Sequence, residues 1–329
     1  MTADVAILIV AYNSERQLPE CLQSVLDQRR NVRQQIIVLD NASPDRSAEV
    51  VREQFPQVTL LQSDRNLGFA GGVNFAARHA NAEFLLLLNP DTGILDHAID
   101  TIVEFARAHP GHGLYGGRTF KPNGDLEPSS CWGRPTLWSL TAFAFGLSTA
   151  FPKNRFLDPE SLGSWPRDTV REVGIVTGCF LLTPATVWRQ LGGFDERFFM
   201  YGEDADLALR ARTAGFRPII CPDARVMHEV GQSSSLPAHK ALLLYQGKAT
   251  LIRTHWKGAS QVLALALLTL GVGLRALGRT FRSLLRPADP NDPWISVWNR
   301  RKEWLPGYPP LAQPSTPTTS TSASSSPSS

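Results

Sequence analysis

In the first ninety positions the apolar residues come in short, nearly unbroken runs rather than in alternation. Val5 to Val10, Ile36 to Leu39, Val58 to Leu61 and Phe84 to Leu88 each form one. Such runs between polar turns are what strands buried on both faces require. Between the runs the apolar spacing changes to three and four. Leu18, Leu22, Val25 and Leu26 fit one helical face, Val50, Val51 and Phe55 a second, and residues 73–80 form a third helix. Ser14 stands where it would cap the first of these. Strands alternating with helices predict a mostly parallel α/β sheet flanked by helices.

The pattern then breaks down. Residues 120–170 are rich in Pro, Gly and Trp and have no clean period, so they read as a long excursion over the sheet and part of an acceptor site. Order returns with a strand over Val173 to Leu182, a helix over Val187 to Leu191, and a turn at Gly192 to Asp195. A helix over Asp204 to Ala214 and two short strands, Arg217 to Cys221 and Ala224 to Met227, follow. From Pro306 the chain is Pro, Ser and Thr with almost nothing to bury, which predicts disorder over 306–329.

Composition narrows the picture. With 329 residues, 43% of them apolar, the chain can bury a sizeable core. A net charge of +3 makes no case for nucleic-acid binding. Cys21, Cys131, Cys179 and Cys221 lie far apart and form no CxxC pair, as reduced thiols of a cytosolic protein would. The segment Met1 to Val10 lacks a basic stretch before its apolar run and reads as a first strand rather than a signal peptide.

In an open α/β sheet, ligands bind beyond the carboxyl ends of the strands. Here those ends are Tyr12 and Asn13, then Asp40 to Ser43, then Asn66 to Gly71, then Asn89 to Asp91. Turns are polar in most proteins, but four consecutive polar or glycine-rich turns, two of them acidic, point to one crevice. These residues also resemble a known family. The stretches IVAYNS (9–14), VLDNASPD (38–45), NLGFAGGVN (66–74) and LLNPDT (87–92) look like the nucleotide-binding half of family 2 glycosyltransferases. The later stretch GGFDERFFMYGEDADL (192–207) resembles their acceptor and catalytic segment. The resemblance covers roughly residues 4–235 and is nearest to the rhamnosyltransferase and galactofuranosyltransferase-like branch.

That resemblance implies a GT-A fold and inverting transfer of one sugar from a nucleotide-sugar donor. Within it Asp40 matches the aspartate that contacts the donor base, and Asn41, Tyr12 and Asn13 share that strand-end wall. Asn66 and Gly68 match the loop lying along the donor. Asn89 and Asp91 stand where the family carries its DxD metal motif, with Asn in place of the first Asp. One charged ligand leaves a divalent cation, Mg²⁺ or Mn²⁺, to complete its shell from the donor diphosphate and water. His228, in VMHEVGQS (226–233), resembles a late histidine that completes the metal site in some members. Asp204 matches the family's base, with Glu203 and Asp206 as rivals; an acidic first helical turn is the plain alternative. The Gln-x-x-Arg-Trp segment of processive synthases does not occur, which implies addition of one sugar or very few.

The last feature is a basic helix. From Lys240 to Arg286 there are eight Lys and Arg and no Asp or Glu. Leu263, Leu267, Leu270, Leu274, Leu277, Phe281 and Leu284 fall on one stripe, with Arg275, Arg279, Arg282 and Arg286 on another face. This is the pattern of a helix lying in an anionic membrane surface. Packing on the protein or on a second copy stays open. So does a span, since 17 uncharged residues separate Lys257 from Arg275. The expected organisation is therefore a GT-A domain over 1–235 (nucleotide-binding half 1–118, acceptor half 119–235), a membrane-associating helical extension over 236–305, and a tail. The expected location is the cytoplasmic face of the plasma membrane, and the expected reaction is rhamnosyl transfer from dTDP-rhamnose to a saccharide or lipid-linked acceptor of the cell envelope. A sugar nucleotidyltransferase would open with a glycine-rich loop and a basic residue, which Ala11 to Asn13 does not offer. A decayed, non-catalytic binding module is the other alternative, and the retention of Asp91, Asp204 and His228 together speaks against it.

Overall fold

A computed structural model describes residues 2–28, 30–228, 237–285 and 292–310. The four buried runs form β1 (Ala3–Ala11), β2 (Gln34–Asp40), β3 (Thr59–Gln62) and β4 (Ala82–Leu88). They pair in parallel in the order β3-β2-β1-β4. The pleat of β1 sends Val5, Ile7 and Ile9 to one core, and Ala6, Leu8 and Val10 to the other. The first core is closed by α1 (Leu18–Asp27) and α2 (Ser47–Gln54), the second by α3 (Gly68–Ala77). Ser14 does not cap α1 with its side chain. The helix starts at Leu18, and the Ser14 hydroxyl accepts from the Tyr12 N–H instead, which tightens the turn.

The other half of the sheet holds what the apolar pattern missed. The short β5 (Thr92–Ile94) leads into α4 (Ala98–Ala108), and β6 (Tyr115–Phe120) follows. Within the excursion lie the two-residue strands β7 (Leu126–Glu127) and β8 (Cys131–Trp132), then α5 (Leu137–Ala144) and α6 (Leu147–Ala150). A reciprocal pair of bonds between Thr136 and Ser139 starts α5. The strand expected over 173–182 is broken. After β9 (Arg171–Glu172) come β10 (Ile175–Val176) and β11 (Phe180–Pro184), and the residues between them turn towards the strand ends. Next come α7 (Ala185–Leu191) and α8 (Glu203–Thr213). The two short strands expected over 217–227 are one, β12 (Ile219–His228), with an irregularity between Ile220 and Arg225. The full order is β3-β2-β1-β4-β11-β6-β12-β5, a mixed, mostly parallel sheet.

The C-terminal helices are α9 (Pro237–His255), α10 (Gly258–Leu285), α11 (Pro293–Asn299) and α12 (Arg301–Trp304). Together with α5 they bury a third cluster around Leu140, Tyr245, Leu268, Val272 and Trp304. Within α10 the inward face is Ala264, Leu268, Val272 and Ala276, whereas Leu263, Leu270, Leu274, Leu277 and Phe281 are exposed. Leu267, expected among the exposed stripe, is buried, and the side chain of Leu284 lies outside the described residues. The expected basic face is also partly turned inward. The Arg275 guanidinium stacks 4.0 Å from the Phe143 ring and donates to the Phe143 carbonyl at 2.8 Å. Arg279 pairs with Asp292 at 2.8 Å, an acid just beyond the acid-free span. Arg282 stays exposed, and Arg286 lies outside the described residues.

The chain does not lose its partners at Pro306. Tyr308 is buried, and its hydroxyl donates to the Met200 carbonyl at 2.6 Å. One aromatic residue among the prolines is enough to dock that stretch, while residues 311–329 lie outside the described residues. All four cysteines are free and buried.

Candidate active site

The carboxyl ends of β1, β2 and β4 open into a cleft of about 1210 Å³, floored by the start of α8 and walled on the far side by α9. Tyr12, Asn13, Asn41, Asn66, Gly68 and Asn89 line one half. Asn41 organises it: its amide donates to Asn66 Oδ1 and to the Gly68 carbonyl, both at 3.1 Å, and its carbonyl accepts the Leu67 N–H at 2.9 Å. The 66–68 loop is thereby fixed to the end of β2. Gly68 has φ of +71°, and a Cβ there would overlap the Phe199 carbonyl. Only glycine lets the loop approach the 198–204 turn so closely. Asp40 stands apart from this group. It is buried behind the wall, and its carboxylate accepts the Ser43 N–H at 3.3 Å. It closes its own turn at the end of β2.

Asp91 and His228 meet because of strand pairing. In the antiparallel β12–β5 ladder, His228 is registered with Thr92, the neighbour of Asp91. The His228 Nε2 lies 3.4 Å from Asp91 Oδ1. Among the described residues, Asp91 Oδ1 and His228 Nδ1 are both buried without a hydrogen-bond partner. Native proteins rarely leave buried polar atoms unpaired, so two such atoms in side chains that touch one another fit a pair of cation ligands. Among the described residues no cluster of three or more His, Cys, Asp and Glu side chains surrounds one point. The pair is a partial ligand set of the kind a divalent cation completes with oxygens from a bound diphosphate and water.

Opposite this pair, Glu203 and Asp204 open α8. Glu203 is buried with Oε2 unpaired. Burial first, and the neighbouring Asp204 charge second, push its carboxyl well above the usual range. Asp204 lies deep within the protein volume yet keeps part of its surface open to the cleft. Burial raises its carboxyl too, opposed by the Ala205 and Gly178 N–H groups. Gly178 and Cys179 are cleft positions that sequence reasoning missed; they sit in the break between β10 and β11. The other missed wall is α9, which contributes Lys240, Leu243, Leu244, Lys248, Leu251 and Ile252. A helix assigned from sequence to the membrane-associating extension thus carries one side of the cleft.

Asp206, the third acid of this turn, is not in the cleft. Its side chain is 1% exposed and bonds Arg210 at 2.7 Å and His255 at 2.8 Å. Arg210 in turn donates to the carbonyls of Leu191 and Gly193. Asp206 ties α8 to α7 and α9. Asp206→Ala is expected to destabilise the protein by about 3 kcal/mol, the low end for stripping one partner from a buried ion pair because Arg210 and His255 keep some solvent. Urea unfolding measures it, and turnover per folded molecule should stay within a few-fold of wild type.

Comparison with known proteins agrees with this geometry. The family model described as Glycosyl transferase family 2 matches residues 6–159. The N-acetylglucosaminyl-diphospho-decaprenol L-rhamnosyltransferase of Mycobacterium tuberculosis is 28% identical over 254 residues, covering 71% of this chain and 78% of that one. The O-antigen biosynthesis protein RfbC of Myxococcus xanthus is 26% identical over 235 residues, covering 70% of this chain but 18% of that one. Among solved structures, the mannosyltransferase PcManGT of Pyrobaculum calidifontis, in complex with GDP-Man and Mn²⁺, superposes with a TM-score of 0.55 at 18% identity, covering 92% of this chain and 88% of that one. At that identity the likeness speaks to the fold. Fold, cleft and relatives agree: the chain has the GT-A fold, matches the family 2 glycosyltransferase model over residues 6–159, and is similar to rhamnosyltransferases.

Proposed function

We propose that this enzyme moves a single sugar, L-rhamnose from dTDP-rhamnose, to a hydroxyl of a saccharide or lipid-linked acceptor in cell-envelope polysaccharide assembly, with inversion at the anomeric carbon. The observation that carries the reading is the convergence of Asp91, His228, Glu203 and Asp204 on one cleft whose other half is the Asn41-organised donor loop. The names of the Mycobacterium and Myxococcus relatives favour rhamnose, a lipid-linked acceptor and the cell envelope.

In this reading Tyr12, Asn13, Asn41, Asn66 and Gly68 hold the nucleotide, and Asn89 borders the diphosphate. Asp91 and His228 would hold a divalent cation, Mg²⁺ or Mn²⁺, which supplies positive charge against the charge gathering on the leaving nucleoside diphosphate. Asp204 takes the proton of the acceptor hydroxyl as its oxygen bonds to the anomeric carbon and the bond to the diphosphate breaks. Glu203 stays protonated beside it and keeps the negative charge of the pair to one. Residues 1–118 and 119–235 then serve as donor and acceptor halves, and 236–305 as the membrane-associating extension.

The test is nucleoside diphosphate release from a panel of nucleotide sugars, with Mn²⁺ or Mg²⁺, in the presence and absence of a membrane-lipid extract. Release from dTDP-rhamnose, raised by the extract, is expected. Release from another donor alone would displace rhamnose, and nucleotide binding without release from any donor would count against a competent transferase site.

Peripheral membrane attachment is part of the proposal. The described helix Gly258–Ser283 is long and apolar enough to cross a membrane, but one face of it is packed on the protein, which favours a helix lying on the bilayer. Leu270 and Leu274 are 41% and 43% exposed, so changing them leaves the core intact. Leu270→Glu with Leu274→Glu is expected to weaken binding to anionic vesicles at least about tenfold, because each buried leucine contributes roughly 1.5–3 kcal/mol. Co-sedimentation at low salt measures it, and a wild-type protein that stays in the supernatant would remove this part of the account.

A further inference from the structure

The turn from Phe198 to Gly202 delivers Glu203 and Asp204 to the cleft, and its backbone is strained. Tyr201 has φ of +68° and Gly202 φ of +104°. For tyrosine the left-handed region is unfavourable, and such a conformation persists only where the surroundings hold it. Three elements do so. From the donor loop, the Phe69 N–H donates to the Phe199 carbonyl at 2.8 Å. From α9, the backbone of Gly247 lies so close to the Tyr201 carbonyl that a Cβ would overlap it. From the far C-terminus comes Tyr308.

Tyr308 is fastened at several points. Its N–H donates to Thr250 Oγ1 at 2.7 Å, and the Gln246 amide donates to the Gly307 carbonyl at 3.3 Å. Its ring meets Phe198 edge-on, with centroids 6.2 Å apart. Its hydroxyl reaches the Met200 carbonyl at 2.6 Å, with the Leu243 carbonyl at 3.4 Å. Just upstream, Trp304 is fully buried against Tyr245 and anchors the segment to α9. The C-terminal strand of chain thus returns across the helical cluster to hold one peptide, the one before Tyr201.

We propose that Tyr308 is a positioning residue: by holding the Met200 carbonyl it fixes the strained Tyr201–Gly202 turn, and through it the placement of Glu203 and Asp204. The proposal rests on the reading of Asp204 as the base. It extends the catalytic unit to a segment nearly 150 residues beyond the end of the family-model match at residue 159, and makes residues 305–308 part of the machinery rather than the start of a tail.

The experiment is Tyr308→Phe in the full chain, which removes one hydroxyl and keeps the ring on Phe198. Rates are counted per nucleoside diphosphate binding site, so unfolded molecules drop out. A fall in kcat of about 5- to 50-fold is expected, the scale of a sub-ångström misplacement, with donor KM and nucleoside diphosphate affinity within twofold of wild type. Thr250→Val, which cuts the backbone tether but keeps the hydroxyl, should lower kcat in the same direction by less. In an Asp204→Asn background, Tyr308→Phe should not reduce the residual rate further. Unchanged kcat, a donor KM that rises as kcat falls, or losses that multiply in the double variant would each overturn the proposal. An Asp204→Asn protein that keeps full activity would instead overturn the reading of the base. Tyr308 would then be judged by the same cycle against whichever carboxylate proves essential.

Discussion

Asp204→Asn will lower kcat by about 10²- to 10⁴-fold, the usual contribution of a positioned general base, while nucleoside diphosphate still binds. Three acids share the start of α8, and the structure separates them. Asp206 is engaged by Arg210 and His255 and points away from the cleft. Glu203 is buried, and burial first and the Asp204 charge second push its carboxyl well above the usual range. Asp204 alone combines exposure to the cleft with two backbone N–H groups that favour its charged form. A pH profile adds an independent check. Burial raises the Asp204 carboxyl, so the proton must leave at a higher pH than from an ordinary aspartate. Turnover should therefore rise with pH through a limb above the usual aspartate range, and that limb should vanish with Asp204→Asn. Glu203→Gln, which keeps a neutral side chain there, should leave that limb in place. A larger loss from Glu203→Gln than from Asp204→Asn would reverse the two roles.

Asp91→Ala should lower activity by at least about 100-fold, the scale of removing one preorganised group that meets developing charge, and should weaken Mn²⁺ binding in the presence of nucleoside diphosphate. It should do so without destabilising the fold. Asp91 Oδ1 is buried and unpaired, and a buried polar atom without a partner costs free energy. Removing it is expected to leave Tm unchanged or raise it. That opposition, a lost activity and a fold no weaker, is the mark of a residue kept for function. His228→Ala should show the same opposition with a smaller loss, since it removes a neutral ligand. A fall in Tm with intact Mn²⁺ binding would make Asp91 a structural carboxylate.

Much of the donor half was legible because its strands are buried on both faces and declare themselves as apolar runs. The four strand ends follow directly from them, and each contributes residues to the cleft lining. At Asp40 a carboxylate closing its own turn and one facing a ligand look alike in sequence, and the residue does the first here. The pairing that joins Asp91 to His228 was not legible. It runs through β5, three residues long, too short for any period. The helix α5 was read as irregular because Leu137, Trp138, Leu140, Ala142 and Phe143 are apolar nearly all round, a signature of packing against α10 rather than of an amphipathic surface. The basic face of α10 was overread for a related reason. Spacing shows where Arg275 and Arg279 point around the helix, but not that Phe143 and Asp292 would be there to receive them. Tyr308 gave no local signal, since its role depends on contacts 58 and 108 positions away.

The central claim is a single displacement with one base, and the anomeric configuration of the product tests it most directly. With the donor that the release assay selects and the lipid extract as acceptor, NMR of the isolated product should show a linkage opposite in configuration to the donor. Retention would mean two displacements or attack on the face the diphosphate leaves, and would contradict both the role of Asp204 and the reading of the cleft built around it.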